Sequence, residues 1–495
     1  VDELRMVFNG MDIVDKLGTT KNGQPKLVIA DVVGRSVTTV ENETVGVPGK
    51  AGSHLLRSKE PQRVLEVPFI LRGETHEQLR MDVNKLSELL ITPSEANISF
   101  NDEPYTYYGK LEGEVPLTEH RTNAKGTLTF ICPDPYKYGE EKRETFTEGH
   151  AVFNAGTAET SPVFRATAKQ SATFLDIVKE NGEYIRVGDP GRLEQEPYSR
   201  TRTVLFDKGT SVTGWTDASS ADHGYVAGQM IGTPKGFHPQ SFDPAISPYA
   251  WQGPVKKRSL PEPVGNFVLS AYVTLKNVGN YTGMIEFYLL DANNETVAKI
   301  GIEDPFRGRD LVQGKMQLGP DDADRYHEYT FPPTKWKQAW NNFEGILKLF
   351  RDDYSGEKRI RSYFTLIDEN GNGGHYGTFK GYYHDVEGKY QTDVTQVQLA
   401  MRKWPSEVEA EMYVTDVKVQ TYHTEPEGLP YIVEPGDVIE VDHKKAVIRI
   451  NGEERNDLKF DFGSDYFKLV PGVNNVYIFP GGAFDTEITW RDAYK

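Results

Sequence analysis

Trp336 and Trp340, in the run Trp336-Lys337-Gln338-Ala339-Trp340, share one face if that segment is helical. Tyr249-Ala250-Trp251 and Gly381-Tyr382-Tyr383-His384 are further aromatic clusters in loop-like surroundings. Aromatic rings pack against the apolar C–H faces of sugars, while a few fixed polar groups take the hydroxyls. Trp336, Trp340, Trp251, Tyr249, Tyr382 and Tyr383 are therefore the candidate carbohydrate-contacting residues. The competing reading is that such rings fill a sandwich core, the commoner fate of a single tryptophan. Trp215 and Trp404 decide nothing, and Trp490, in an alternating terminal stretch, reads as core or interface packing.

Catalytic chemistry finds little support. The chain has no His-Glu-x-x-His, no Gly-x-Ser-x-Gly, no Walker loop and no Cys/His zinc spacing. Gly371-Asn372-Gly373-Gly374-His375-Tyr376-Gly377 fails the dinucleotide glycine spacing and reads as a loop. Asp321-Asp322 and Asp352-Asp353 are adjacent carboxylates, which in a strand point to opposite faces and do not form an acid/base pair. Asp321-Asp322-Ala323-Asp324 offers hard oxygen ligands for Ca²⁺ but lacks EF-hand spacing. No catalytic, cofactor or metal residue is assigned. The expectation is a non-enzyme.

The elements that would position the aromatic residues are strands. Alternating runs such as Arg63 to Leu71 and Gly126 to Ile131 are divided by Gly, Pro, Asn and Asp clusters. The clearest helix spans Thr75 to Leu90, with Leu79, Val83, Leu86 and Leu90 on one face, Thr75 as N-cap and Pro93 beyond its end. Pro133-Asp134-Pro135 must stop the strand that ends at Cys132. Asn181-Gly182, between alternating runs, predicts a hairpin, and the alternating runs Val438 to Asp442 and Ala446 to Ile450 again precede an Asn-Gly pair, Asn451-Gly452.

Five of the six tryptophans fall between 200 and 424. Residues 196–424 carry 25 basic and 29 acidic residues, whereas the whole chain has a net charge of −17, so the flanks hold most of the excess. Long strands are expected there at Phe267 to Lys276, Met284 to Leu290, Val297 to Ile302, Ile360 to Leu366, Gln396 to Met401 and Met412 to Gln420. Neither 145–195 nor 425–495 supplies the roughly seven strands a sandwich needs. Joined, they do, which predicts one sandwich interrupted by an inserted domain.

The acidity argues against a nucleic-acid partner, and no apolar run reaches the roughly 18 residues of a membrane span. The opening Val1-Asp2-Glu3-Leu4-Arg5 reads as a mature start without a signal peptide, so the four Asn-x-Ser/Thr sequons carry no weight. Cys132, the only cysteine, excludes an internal disulfide and reads as a small buried hydrophobe.

Residues 1–140 resemble the N-terminal domain of siphophage distal tail proteins. The resemblance lies in the opening Leu4-Arg5-Met6-Val7-Phe8, the Arg63-to-Leu71 strand with its following helix, and Phe130-Ile131-Cys132-Pro133-Asp134-Pro135-Tyr136-Lys137-Tyr138-Gly139. Glu434-Pro435-Gly436-Asp437-Val438, the Ile450-Asn451-Gly452 turn and the closing Ile488-Thr489-Trp490-Arg491 resemble that family's galectin-like sandwich. The position of the middle segment is similar to that of carbohydrate-binding modules in the long, evolved members. The resemblance implies a mainly β chain in three domains. These are an α+β tail domain over 1–140, a galectin-like sandwich over 141–195 and 425–495, and an inserted jelly-roll sandwich over 196–424.

It further implies a homo-hexameric ring at the distal end of the tail in the virion, made in the host cytoplasm. Tail tube protein would lie above the ring, a tail-associated lysin or fibre protein below, and host cell-surface polysaccharide would be the ligand. The segment Glu41 to Glu60, polar and Gly-rich, is then an arm reaching a neighbour rather than a loose hairpin tip. The alternatives are a polysaccharide-degrading site in the insertion, or an insertion that only braces the assembly.

Overall fold

The computed structural model describes the chain except for residues 1–2, 192–194, 280, 306–308, 322–326, 332–338, 355, 369–373 and 423–427. The fold is mainly β. Two compact units are formed, one from Val1–Gly188 with Pro435–Ile448 and Arg455–Lys495, the other from Asp189–Glu434 with Arg449–Glu454.

In the first unit the strand Arg63–Arg72 alternates strictly, placing Leu65, Val67, Phe69 and Leu71 in the core. It pairs residue for residue with Asn123–Cys132, from Arg63 opposite Cys132 to Arg72 opposite Asn123. The helix His76–Leu90 follows as expected, and the Thr75 hydroxyl caps it by accepting from the Gln78 amide at 3.1 Å. Leu79, Leu86 and Leu90 are buried and Val83 packs against the same core. A five-residue helix, Ile13–Leu17, is too short for its periodicity to be read from sequence. Cys132 is buried at the end of its strand, and burial pushes its thiol up to about 12.

The terminal strand Phe484–Tyr494 lies between Lys137–Phe146 and Val163–Ala168, and Val163–Ala168 pairs in turn with Val438–Asp442. In a second sheet Phe174–Lys179 pairs with Gly472–Phe479. Residues before 189 and after 434 thus share both sheets. The Asn181-Gly182 hairpin forms between Phe174–Lys179 and Tyr184–Gly188, with Gly182 at φ +90°. The hairpin Glu41–Gly46 with Ser53–Lys59 pairs only with itself among the described strands, and every residue in it is exposed.

The described residues of the second unit build an eight-stranded and a seven-stranded sheet packed face to face. The expected strands are present as Phe267–Lys276, Gly283–Leu290, Thr296–Asp304, Glu357–Ile367, Val394–Arg402 and Glu411–Tyr422. Leu269, Val273 and Leu347 from one sheet meet Phe287, Ile300 and Leu399 from the other, and each such burial contributes about 1.5–3 kcal/mol. At the unit's base the outgoing Pro197–Tyr198 and the returning Leu429–Pro430 lie side by side as a short parallel pair. No described helix is long and apolar enough to cross a membrane.

Candidate functional site

The strands Gly283–Leu290, Thr296–Asp304, Gln313–Leu318 and Val394–Arg402 are neighbours in the seven-stranded sheet. Side chains alternate between the two faces of a strand, so Phe287, Ile300, Met316 and Leu399 point into the core. The register assigns the opposite face in three rows. Gln398, Tyr288, Lys299 and Gln317 are successive partners in the first row, and Ala400, Glu286, Gly301 and Lys315 in the second. Arg402, Met284, Glu303 and Gln313 make the third. The outer face of an antiparallel sandwich is usually polar and wet. This one is polar and buried, with Glu286, Lys299, Glu303, Gln317 and Arg402 at most 3% exposed.

Part of the cover is the segment 218–226. Its Asp222 carbonyl accepts from Arg402 Nη1 at 2.7 Å, and Asp222 Oδ2 accepts from Gln317 Nε2 at 3.1 Å. The Ser220 carbonyl accepts from Gln398 Nε2 at 3.3 Å. Gly224 is what lets the segment come so close, since a Cβ there would stand 2.2 Å from the Trp251 carbonyl oxygen and 2.8 Å from Arg402 Nη1. Gly301 does the same within the sheet, for a Cβ there would meet Glu286 Cγ at 2.8 Å.

Glu286 is the electrostatic centre. Its Oε1 lies 3.1 Å from Lys299 Nζ, and its Oε2 accepts from Arg402 and from the Tyr288 hydroxyl, the latter at 2.9 Å. Burial alone would raise this carboxyl, but Arg402 and Lys299 prevail and bring it down to about 2. Glu303 Oε1 takes Lys315 Nζ at 2.8 Å and Gln313 Nε2 at 2.7 Å. Asp222 Oδ2 stands 3.6 Å from Lys299 Nζ. Arg402, Lys299 and Lys315 are thus matched by Glu286, Glu303 and Asp222. Three buried atoms on this face, Glu303 Oε2, Gln317 Oε1 and Arg402 Nε, have no partner among the described residues. Each such group costs about 1–3 kcal/mol, so the face is not arranged for stability alone. A general acid needs a carboxyl with a raised pKa. Glu286 is held in the opposite sense, and the arrangement favours hydrogen bonding over proton transfer.

The structure scatters the six aromatic candidates. Trp251 comes to the border of the polar face, in a strand parallel to Gly224–Val226, with its ring edge-on to Trp404 at 5.7 Å. Its neighbour Gln252 is bridged to Lys403, next to Arg402. Trp251 itself is buried, whereas Tyr249 is 84% exposed and Tyr225 on the covering segment is also exposed. Tyr382 and Tyr383 belong to the strand His375–His384 of the other sheet. Tyr382 is exposed there, while Tyr383 is half-buried and packs on Tyr390 at 5.7 Å.

Trp340 is a correction. It is buried, stacks on Phe364 at 5.5 Å and donates its indole N–H to the Gly377 carbonyl at 2.8 Å. Residues 339–342 form a turn entering Phe343–Tyr354, which directs the ring inward. Trp336 lies outside the described residues.

The pair Asp352-Asp353 behaves as expected of a strand. Asp352 is buried and holds Arg359 and Arg361, while Asp353 is exposed. Asp322 and Asp324 lie outside the described residues, among which no cluster of three His, Cys, Asp or Glu side chains could hold a metal ion. Sequence reasoning missed Glu286, Lys299, Glu303, Gln317 and Arg402. Their signal was present: each interrupts an apolar strand at every second position, as in Met284-Ile285-Glu286-Phe287-Tyr288.

Residues 26–132 match the phage tail protein RIFT-related domain family, and residues 399–494 match the C-terminal domain of siphovirus-type tail components. The distal tail protein of Bacillus phage SPP1 is 34% identical over 183 residues, 36% of this chain and 68% of that protein. The crystal structure of the SPP1 protein aligns at 30% identity over 38% of this chain and 75% of its own, with a TM-score of 0.33. The CBM2 module of the evolved Dit of Lactobacillus casei BL23 phage J-1 aligns at 14% identity over 46% of this chain and 98% of its own, with a TM-score of 0.36.

Proposed function

The chain belongs to the family of phage distal tail proteins, and from that premise we propose a tail-tip hub whose inserted unit binds host cell-wall polysaccharide. The observation that carries the binding role is the aromatic border of the covered polar face, where Trp251 meets Trp404 edge-on and Tyr225, paired beside Gln252, is exposed. Tyr249, two residues before Trp251, is exposed as well. Tyr382, exposed on the other sheet, is a separate contact point. On this reading the protein acts without catalysis, and Glu286, held low by Arg402 and Lys299, does not serve it as a general acid.

Assembly follows from the exposed hairpin Glu41–Gly46 with Ser53–Lys59. It offers Val45, Leu55 and Leu56 to solvent and finds no cover among the described residues. Such a surface needs a neighbour, and in a closed ring the neighbour is another copy. The ring is six-membered, sits in the virion between tail tube and lysin or fibre protein, and is built from chains made in the host cytoplasm. Weak sites repeated around a ring gain avidity on a cell surface without new contacts.

Negative-stain electron microscopy of the full chain should show six-fold rings with peripheral lobes. Purified wall polysaccharide should bind saturably, with no new reducing ends. Release of reducing ends would instead place the chain among the hydrolases.

A further inference from the structure

We infer that Gln252 is a positioning residue for glycan recognition, one that fixes the loop 243–250 so that Ile246 and Tyr249 meet a sugar chain alongside Tyr225 and Trp404; this rests on the binding role proposed above. From Pro244 to Trp251 the sequence Pro-Ala-Ile-Ser-Pro-Tyr-Ala-Trp carries no charge. Ile246 is nevertheless 55% exposed and Tyr249 84% exposed. The fold gains nothing from apolar groups held out in water, and surface of this kind marks a contact site. The loop is also well held. Gln252 is 1% exposed, and its Oε1 accepts from the Ile246 amide at 2.9 Å while its Nε2 donates to the Asp243 carbonyl at 2.6 Å. Ser247 Oγ accepts from the Tyr249 amide at 3.3 Å, and Pro244 and Pro248 restrict the chain further.

The backbone of the same residue ties down two other aromatic segments. Its amide donates to the Lys403 carbonyl at 3.1 Å and its carbonyl accepts from the Lys403 amide at 2.9 Å, one residue from Trp404. Tyr225 is its partner in the parallel pair with Gly224–Val226. Three segments far apart in sequence, each bearing an aromatic ring, are thus registered by one buried residue. Tyr225 and Tyr249 are exposed and Trp404 is half-buried, so all three are open to a ligand. Sugar C–H faces pack on such rings, and a loop already in place spares the ordering cost that binding otherwise incurs. Contact falls to the rings and to Ile246, and Gln252 acts through them.

The test uses the full chain and, as probe, the member of a panel of purified wall polysaccharides that it binds best. Gln252→Met keeps the side-chain length and removes both hydrogen bonds. Affinity should fall by about tenfold, with faster hydrogen exchange over 243–250 and none in Gly283–Leu290 or Val394–Arg402. Gln252→Asn, which withdraws the amide by one methylene, serves the same purpose if the Met variant does not fold. In an Ile246→Ala/Tyr249→Ala background the Gln252 substitution should cost nothing further, because partners in one chain of action are not additive. A second tenfold loss in that background overturns the positioning role. Unaltered affinity in the Gln252 variants, with Tyr249→Ala still weakened, also overturns it and leaves the binding border standing. Binding that ignores Tyr249 and Gln252 alike overturns both, and a panel without any bound member removes the binding role itself.

Discussion

Glu286 and Arg402 show how one buried pair can be costly to break while adding little as a fold-building device. Desolvating two charges consumes most of what their attraction returns. Removing one partner leaves the other stranded, so Arg402→Met should destabilise the protein by about 3–5 kcal/mol in urea unfolding. The Glu286 carboxyl titrates at about 2 in the fold against 4.5 in the unfolded chain. Its contribution is therefore complete above the unfolded pKa and is lost as pH falls through the folded one.

His443 is a second buried ionisable group. Its Nδ1 accepts from the Phe467 amide at 2.9 Å, its ring lies among Phe164, Tyr466 and Phe467, and burial lowers its pKa from 6.5 to about 3. The unfolded chain then binds the extra proton first. Stability should fall as pH drops below 6.5, by at most about 1.4 kcal/mol per unit, and His443→Asn should flatten that slope in acid titrations followed by circular dichroism. Trp340 completes this scale. Trp340→Ala should cost about 3–5 kcal/mol in thermal or urea unfolding and leave glycan affinity of the folded protein unchanged. Its aromatic identity was plain in the sequence but its direction was not, because a turn rather than a helix sets it.

At the level of elements, alternation made strands and helix legible wherever one face is apolar. Phe267–Lys276 and His76–Leu90 emerge almost residue for residue from that pattern. The same logic concealed the polar face. Charged residues at alternate positions normally indicate a side bathed in water, and only the register reveals that Glu286, Glu303 and Arg402 share one covered surface. The segment 218–226 is rich in Ala and Ser and gave no hint of lying across a sheet. The hairpin Glu41–Gly46 with Ser53–Lys59 is the opposite case, since its polar, Gly-rich sequence already marked it as protruding. Deleting residues 45–57 removes no core contact, so the melting temperature should hold while sedimentation velocity reports loss of the ring.

For the whole molecule, a sheet that needs Phe484–Tyr494 between Lys137–Phe146 and Val163–Ala168 cannot be stable until that late strand has been made. Phe484–Tyr494 is flanked on both sides by strands more than 300 residues earlier in sequence. Such distant pairing predicts slow folding. Replacing residues 190–434 by a short Gly-Ser linker should preserve the rings seen by electron microscopy and abolish polysaccharide binding in pull-downs. The charge and tryptophan asymmetry exposed the insertion in the sequence, whereas the pairing of its two ends could be seen only in three dimensions.

That pairing has an evolutionary consequence. Because Pro197–Tyr198 and Leu429–Pro430 meet as neighbours, the polypeptide strung between them can vary in length and content without shifting the partners of any later strand. Two genetic crossovers at this pair would exchange the eight-stranded and the seven-stranded sheet together, like a tool head. On the binding role proposed above, a phage lineage could change the surface it grips while its assembly machinery stays the same.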